Sequence, residues 1–90
     1  MKKIVRIEWG TNVPWNDNNA EALEIRQFYL ESKFLAGLTT SVDGTPSDDL
    51  TVVTREWADQ SAAEEEVAYV TTFAQTHGLD LISIEILDSI

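Results

Sequence analysis

Cysteine is absent from the sequence, which excludes disulfide bonds, thiolate metal ligands and cysteine nucleophiles. The chain has a single histidine, His77, so a structural zinc site built from Cys and His ligands is excluded as well. The G-x-G-x-x-G, P-loop and G-x-S-x-G motifs are also missing, which leaves nucleotide binding and a Ser-His-Asp triad without support. We therefore predict no catalytic residue, no metal and no cofactor.

Basic residues are scarce: the chain has 6 Lys and Arg against 16 Asp and Glu, a formal net charge of −10. Binding to a nucleic-acid backbone or to an anionic membrane depends on clustered Lys and Arg, so we predict neither as a partner. The acidity is typical of a soluble protein or of one adapted to a salty environment. A second interpretation is an acidic decoy that occupies the basic, nucleic-acid-binding surface of a partner.

Long apolar runs are also missing, and none approaches the length of roughly 18 residues or more that a membrane span needs. The opening residues, MKKIVRIEW, alternate polar and apolar side chains and do not form the apolar segment of a signal peptide. The expectation is a soluble, cytoplasmic protein. The 90 residues predict one domain, 1–90, of a size at which self-association adds useful buried surface.

The first part of the chain predicts a strand, a loop and a helix. Lys2 to Trp9 alternates with a period of two, as in a strand with one solvated face. The loop GTNVPWNDNN follows, and its Trp15 is either a lid over the core edge or a residue that stacks on a ligand. A helix is predicted over 20–32, capped by Asn18 or Asn19. Its predicted apolar stripe consists of Ala22, Leu23, Ile25, Phe28, Tyr29 and Leu30.

The middle of the chain predicts a hairpin. Thr and Val enrichment favours a strand over about 33–42, with Gly37 as a bulge or a point of close approach. The segment DGTPSDD at 43–49 is a strong turn signal, and Leu50 to Trp57 is the partner strand. Val53 and Trp57 share a face of that strand.

The stretch 59–78 predicts a well-marked amphipathic helix around which the other elements are arranged. Ser61 and Glu64 form a capping box, and Gly78 supplies a left-handed stop. The run of three Glu, 64–66, suits the positive end of the helix dipole. A helical seam contains Ala63, Val67, Val70 and Ala74, with Phe73 beside it.

The last segment, LDLISIEILDSI, predicts a strand whose second face is unusually apolar. Ile82, Ile84 and Ile86 share one face, while Leu81 and Leu87 lie on the other. If both helices cover the same side of the sheet, Leu81 and Leu87, together with Ile4, point outward, and such patches usually bind a partner.

The order β-α-β-β-α-β predicts an α+β fold of the ferredoxin-like plait type: a four-stranded antiparallel sheet with both helices on one face. Between Gly37 and Ile86 the sequence also resembles the dimeric α+β barrel proteins of the antibiotic-biosynthesis-monooxygenase-like group. The similarity lies in the turn DGTPSDD, in Arg55-Glu56-Trp57 at a strand end, and in Ala62-Ala63 near the start of a helix. The resemblance implies a homodimer through the open sheet faces and a small pocket between sheet and helices.

Five residues are candidates for binding a small ligand. They are Trp15, Arg55, Trp57, Tyr69 and His77, a mixture of aromatic and polar side chains of the kind that lines ligand pockets. In this hypothesis Trp57 and Tyr69 stack on a ligand, and His77 or Arg55 polarises it. The alternative is that these residues form an ordinary core with its rim, and that His77 is simply placed at a helix end.

Three functions remain open at this point. The first is a non-enzymatic module that associates with itself, as a homodimer through the open sheet face, or with a protein partner. A second is a dimeric α+β-barrel protein that binds or oxidises a small aromatic molecule. The third is an acidic inhibitor of a nucleic-acid-handling complex.

Overall fold

The computed structural model describes residues 1–89 of the chain. The strands β1 (Lys3–Trp9), β2 (Thr45–Pro46), β3 (Val52–Trp57) and β4 (Leu81–Asp88) pair only in antiparallel fashion, in the order β2-β3-β1-β4. The helices α1 (Ala20–Leu35) and α2 (Gln60–His77) complete a β-α-β-β-α-β order. The predicted α+β plait is therefore confirmed.

The two central strands give the sheet one buried and one half-open face. Along β1, Val5, Ile7 and Trp9 are buried, as the period-two pattern predicts. Along β3, the alternate residues Val53, Arg55 and Trp57 are buried on the same side. The helices cover this face, because the buried residues of α2 join the same hydrophobic cluster.

Helix α2 begins and ends on local signals. The side chain of Asp59 accepts a hydrogen bond from the backbone N–H of Ala62 at 2.8 Å, so Asp59 is the N-cap. The predicted cap at Ser61 is wrong, because the helix has already begun there. The C-terminal prediction is confirmed, since Gly78 adopts φ 64°, a left-handed conformation that favours glycine.

Helix α1 runs three residues further than predicted, and the predicted strand over 33–42 is wrong. Gly37 is not a strand bulge; with φ 75° it follows the helix in a left-handed turn, while the N–H of Leu38 bonds to the carbonyl of Lys33. In the predicted strand only Thr39 pairs, in an isolated bridge with Trp57. The short strand β2 forms instead at Thr45–Pro46, inside the predicted turn. Helix propensity and a glycine stop outweigh the strand preference of the threonines.

The buried stripe of α1 also differs from the predicted one. It contains Ala22, Arg26 and Leu30, whereas Ile25 is 42% and Phe28 is 73% exposed. The stripe is rotated toward Arg26 because a buried partner on α2 accepts its charge. Two predicted core residues of this helix therefore lie toward solvent.

A bulge near the start of β4 changes which side chains point outward. Trp9 pairs with Leu81 but the preceding Glu8 pairs with Ser83, so Ile82 is an extra residue on β4. Leu81 consequently packs against the core, and the prediction that it points outward is wrong. Ile82 takes that position and is 57% exposed, with Leu87 at 41%.

Candidate functional site

A cavity of about 370 Å³ lies between α1 and the helix-covered face of the sheet. Strands β1 and β3 supply its floor and α1 supplies one wall. The loops that flank α1, strand β2 and the connection between β2 and β3 supply the rest. The lining residues are Ile7, Trp9, Pro14, Trp15, Leu23, Arg26, Gln27, Leu30, Val42, Asp43, Pro46, Leu50, Val53 and Arg55. The site is thus mostly apolar, with two arginines among the lining side chains.

Trp15 is held over this cavity by an anchored loop. The backbone of Asn12 accepts a hydrogen bond from the N–H of Asp80, and its side chain donates to the carbonyl of Gly78. The side chain of Asn19 donates to the carbonyl of Val13 at 2.8 Å. Trp15 itself packs edge-on against Trp9, with ring centroids 6.4 Å apart. Trp15 therefore packs against the edge of the core and lines the cavity at the same time.

A buried cluster of two arginines and one glutamate stands beside the cavity. The guanidinium of Arg26 donates to both carboxylate oxygens of Glu66, at 2.8 and 2.5 Å. The second guanidinium, of Arg55, has its Nη1 3.7 Å from Oε2 of the same carboxylate. Glu66 is fully buried, and Arg26 and Arg55 are 6% and 7% exposed. A buried charge of this kind is stable only when it is paired and hydrogen-bonded.

Arg55 is oriented by the loop that follows α1. Its Nε donates to the carbonyl of Ser41 at 3.2 Å, and its Nη2 donates to the carbonyl of Val42 at 3.0 Å. Burial, reinforced by the positive charge of Arg26, lowers the pKa of Arg55 to about 10. The guanidinium therefore keeps its charge at neutral pH.

Tyr69 and His77 lie in a different place, in an aromatic stack between the two helices. Tyr29 stacks on Tyr69 with parallel rings 3.6 Å apart, and the stack continues to Phe73. The ring of His77 contacts Phe73 at a tilt of 55°. Desolvation, followed by the negative charges of Glu66 and Glu65, raises the pKa of Tyr29. Burial raises the pKa of Tyr69 as well. Neither Tyr69 nor His77 lines the cavity.

Trp57 is also outside the cavity lining. The side chain is 1% exposed and belongs to the hydrophobic core. Its indole Nε1 is buried without a hydrogen-bond partner within residues 1–89. Of the five predicted site residues, the structure brings Trp15 and Arg55 together at the cavity.

Sequence reasoning missed Arg26, Glu66 and Trp9 as members of the site. For Glu66 a signal was present, because it lies three residues after Ala63 and four before Val70, on the apolar seam of α2. The interpretation of 64–66 as charges at the helix N-terminus is therefore wrong for Glu66, which is 0% exposed. Arg26 likewise lies four residues from both Ala22 and Leu30.

Among the described residues, no group of three or more His, Asp or Glu side chains is arranged to hold a metal ion. None of the helices found in residues 1–89 has the length and apolar character that a bilayer crossing requires.

Comparison with known proteins finds similar chains among the solved structures and none by sequence. No protein-family model matches the chain, and no curated protein matches it. The structure is similar to the crystal structure of a provisionally named antibiotic biosynthesis monooxygenase from Bacteriodes thetaiotaomicron, with a TM-score of 0.44 and 14% identity. The similarity covers 100% of this chain and 87% of that chain. The name given to that structure is that of the group which the sequence resembles, and the resemblance is weak.

Proposed function

We propose that this protein binds a small, largely apolar organic molecule in the cavity between α1 and the sheet. The observation that carries the proposal is the cavity itself, about 370 Å³ in volume and lined mainly by apolar and aromatic side chains. This volume falls within the range of small-molecule sites, which combine an apolar lining with a few oriented polar groups.

The two tryptophans of the lining support an aromatic or polycyclic ligand. Trp9 is buried and Trp15 is partly exposed, and they meet edge-on. Indole rings offer large, rigid contact surfaces that lose little conformational entropy on binding. The anchored loop at 10–19 keeps Trp15 in position before the ligand arrives, which lowers the entropic cost of binding.

Fluorescence titration tests the proposal directly, because two of the three tryptophans line the cavity. Naphthylmethanol, a neutral probe, and naphthoate, an anionic one, are titrated into the protein. We expect saturable quenching or a shift of the tryptophan emission by at least one probe. Native mass spectrometry of the same samples should give one probe per chain.

A matched pair of variants locates the binding. Leu23→Phe adds volume to a residue that lines the cavity, and it should weaken probe binding about tenfold or more by filling the space. Ile25→Phe adds a similar volume two residues along the same helix, at a position that is 42% exposed and outside the lining, so binding should be unchanged. The proposal fails if neither probe binds, or if the two variants behave alike.

A second candidate function is self-association through the open face of the sheet. Ile82 and Leu87 are exposed on β4, and Ile4 lies directly opposite Leu87 in the ladder. In a chain of net charge −10, most surfaces repel a second copy. On the open face, Arg6 offsets part of the negative charge: it lies between Thr54 and Glu85 in the ladder, and an ion pair joins it to Glu8. A second copy stacked on this face would cover the apolar residues.

Light scattering of the purified protein over a range of concentrations tests this candidate. We expect a dimer that Ile82→Lys converts to monomer. Phe28→Lys, at a position on α1 that is 73% exposed, is the matched control and should leave the dimer intact. A monomer at every concentration contradicts self-association but leaves the cavity proposal untouched.

A further inference from the structure

The buried charges beside the cavity do not balance. Glu66 has both carboxylate oxygens in hydrogen bonds with Arg26, so this pair is complete. Arg55 brings a second positive charge, and its Nη1 remains at 3.7 Å from Glu66, beyond hydrogen-bond distance. The three buried groups therefore carry one excess positive charge.

The remaining contacts of Arg55 leave one side of its guanidinium available. Nε and Nη2 donate to the backbone carbonyls of Ser41 and Val42, which fixes the plane of the group. Within residues 1–89, Nη1 has no hydrogen-bond acceptor. The atom is not completely enclosed by the protein. Because Arg55 is a cavity-lining residue, the free donor is within reach of a ligand.

The only other charged residue of the lining is Asp43, which is exposed at the cavity rim. Its carboxylate attracts the Arg55 guanidinium through space, but the two side chains form no ion pair within 4.0 Å. A solvent-exposed charge at that distance is strongly screened by water. It offsets the buried excess charge only in part.

Apolar walls and a single anchored cation together define a class of ligand. We infer that the cavity takes a monoanionic amphiphile, an aromatic or aliphatic carboxylate whose oxygen accepts a hydrogen bond from Nη1 of Arg55 while its apolar body lies between Trp9, Trp15 and Leu23. This inference rests on the proposed function and names the ligand class for the same site. A carboxylate at this point would complete the pairing of the second guanidinium, and charge-assisted bonds of this type are the strong ones.

The overall charge of the chain makes the test discriminating. At −10 the protein repels anions at long range, so any preference for an anion must come from the local cluster. Naphthoate and naphthylmethanol share the same ring system and differ in the charged group. With the native protein we expect naphthoate to bind about tenfold more tightly than naphthylmethanol, the gain typical of one charge-assisted hydrogen bond.

Variants at Arg55 assign the preference to one side chain. Arg55→Gln should bring the ratio of the two affinities, naphthoate over naphthylmethanol, close to one, because the charged donor is lost. Arg55→Lys keeps the charge and should retain part of the preference. Arg6→Gln, on the opposite face of the sheet, removes an arginine away from the cavity and should change neither affinity.

The outcomes distinguish a failure of the proposed function from a failure of the carboxylate inference. If neither probe binds, the proposed function itself is wrong. If naphthylmethanol binds the native protein as tightly as naphthoate, the cavity is a ligand site but the carboxylate inference is overturned. This comparison needs no variant, so it stands even if Arg55→Gln does not fold. A preference that persists in a folded Arg55→Gln would also overturn the role given to Arg55.

Discussion

The two helices cover the same face of the sheet in different ways. Helix α2 packs directly on β1, β3 and β4 through small and apolar side chains, and Ala63 and Val70 are completely buried. Helix α1 stands off the sheet, and the space beneath it is the cavity. The buried stripe of α1 contains Arg26, which forms an ion pair with Glu66 of α2. One half of the molecule is therefore a solid core, and the other half contains the cavity with a buried ion pair beside it.

The Arg26–Glu66 pair affects how α1 packs beside the cavity. A buried Arg–Glu pair holds two helices at a defined separation, because both hydrogen bonds must be kept. An apolar residue at position 26 would instead favour closer packing onto the sheet. The polar contact thus ties α1 to α2 at a defined distance.

The largest expected effect comes from Glu66→Ala, which leaves the buried guanidinium of Arg26 without its acceptor and removes the negative charge beside Arg55. We expect the free energy of unfolding to fall by about 3–5 kcal/mol. Urea denaturation followed by tryptophan fluorescence measures it. Glu65→Ala is the control, since Glu65 pairs with Lys33 at an exposed position and should cost at most about 1 kcal/mol. Equal losses for the two variants would refute the structural role of the pair.

A second prediction contrasts the solid and the hollow half by adding volume to each. Ala63→Leu should lower the free energy of unfolding by about 1–3 kcal/mol, because Ala63 is 0% exposed within the hydrophobic core. Leu23→Phe, on the cavity side, should cause no loss and can stabilise by about 0.5–2 kcal/mol through cavity filling. Thermal and urea unfolding compare the two. A similar loss in both halves would mean that the cavity is not usable space.

The N-terminus of α2 provides a smaller effect. Asp59→Ala removes the side-chain acceptor of the Ala62 N–H and should cost about 1 kcal/mol. Ser61→Ala tests the cap that the sequence pattern favours; at an exposed position it should change stability by no more than about 0.5 kcal/mol. If Ser61→Ala proves the more damaging of the two, the helix begins later than the structure has it.

The smallest expected effect concerns pH and the aromatic stack. The chain has 2 tyrosines, and both have raised pKa values in the folded protein because burial disfavours the phenolate. The stability that depends on this difference is fully present below the unfolded pKa of about 10 and is lost as the pH rises through the folded values. In a titration followed by near-ultraviolet absorbance, tyrosinate should form at a higher pH in the folded protein than in the chain unfolded by urea.

A variant assigns the two titrations. In Tyr29→Phe the remaining phenol, Tyr69, should still ionise at a higher pH than in the unfolded chain, because its own burial raises its pKa. The loss of the Tyr29 hydroxyl should not destabilise the protein, because that oxygen is buried without a hydrogen-bond partner within residues 1–89. Tyrosinate at the ordinary pH in the folded protein would contradict the packing of the stack.

Local patterns were sufficient to predict the solid half of the fold. The alternation around Val5 and Ile7, the seam around Val70 and the stop at Gly78 each depend on neighbouring residues, and the structure confirms them. The order of elements followed from these patterns. The end of α1 was mispredicted because a glycine in a left-handed turn, and not the threonines after it, decides where the helix ends.

The site was less accessible to sequence reasoning, because its defining contact joins residues 40 positions apart. Arg26 and Glu66 each occupy the apolar stripe of their helix, but neither spacing alone shows that the other residue is opposite. Trp15 and Arg55 were selected as polar and aromatic candidates in or near loops. Trp57, Tyr69 and His77 were selected on the same grounds, and whether they contribute to binding stays a prediction.

The two edges of the sheet differ in how they resist fibre growth. Strand β2 is only two residues long and ends in Pro46, which has no N–H to offer a further strand. Strand β4 is eight residues long and presents a full edge, but acidic side chains at Glu85 and Asp88, with Asp80 just before it, discourage a second acidic chain from pairing there. Truncation of one edge and charge on the other both oppose the addition of a further strand to the sheet.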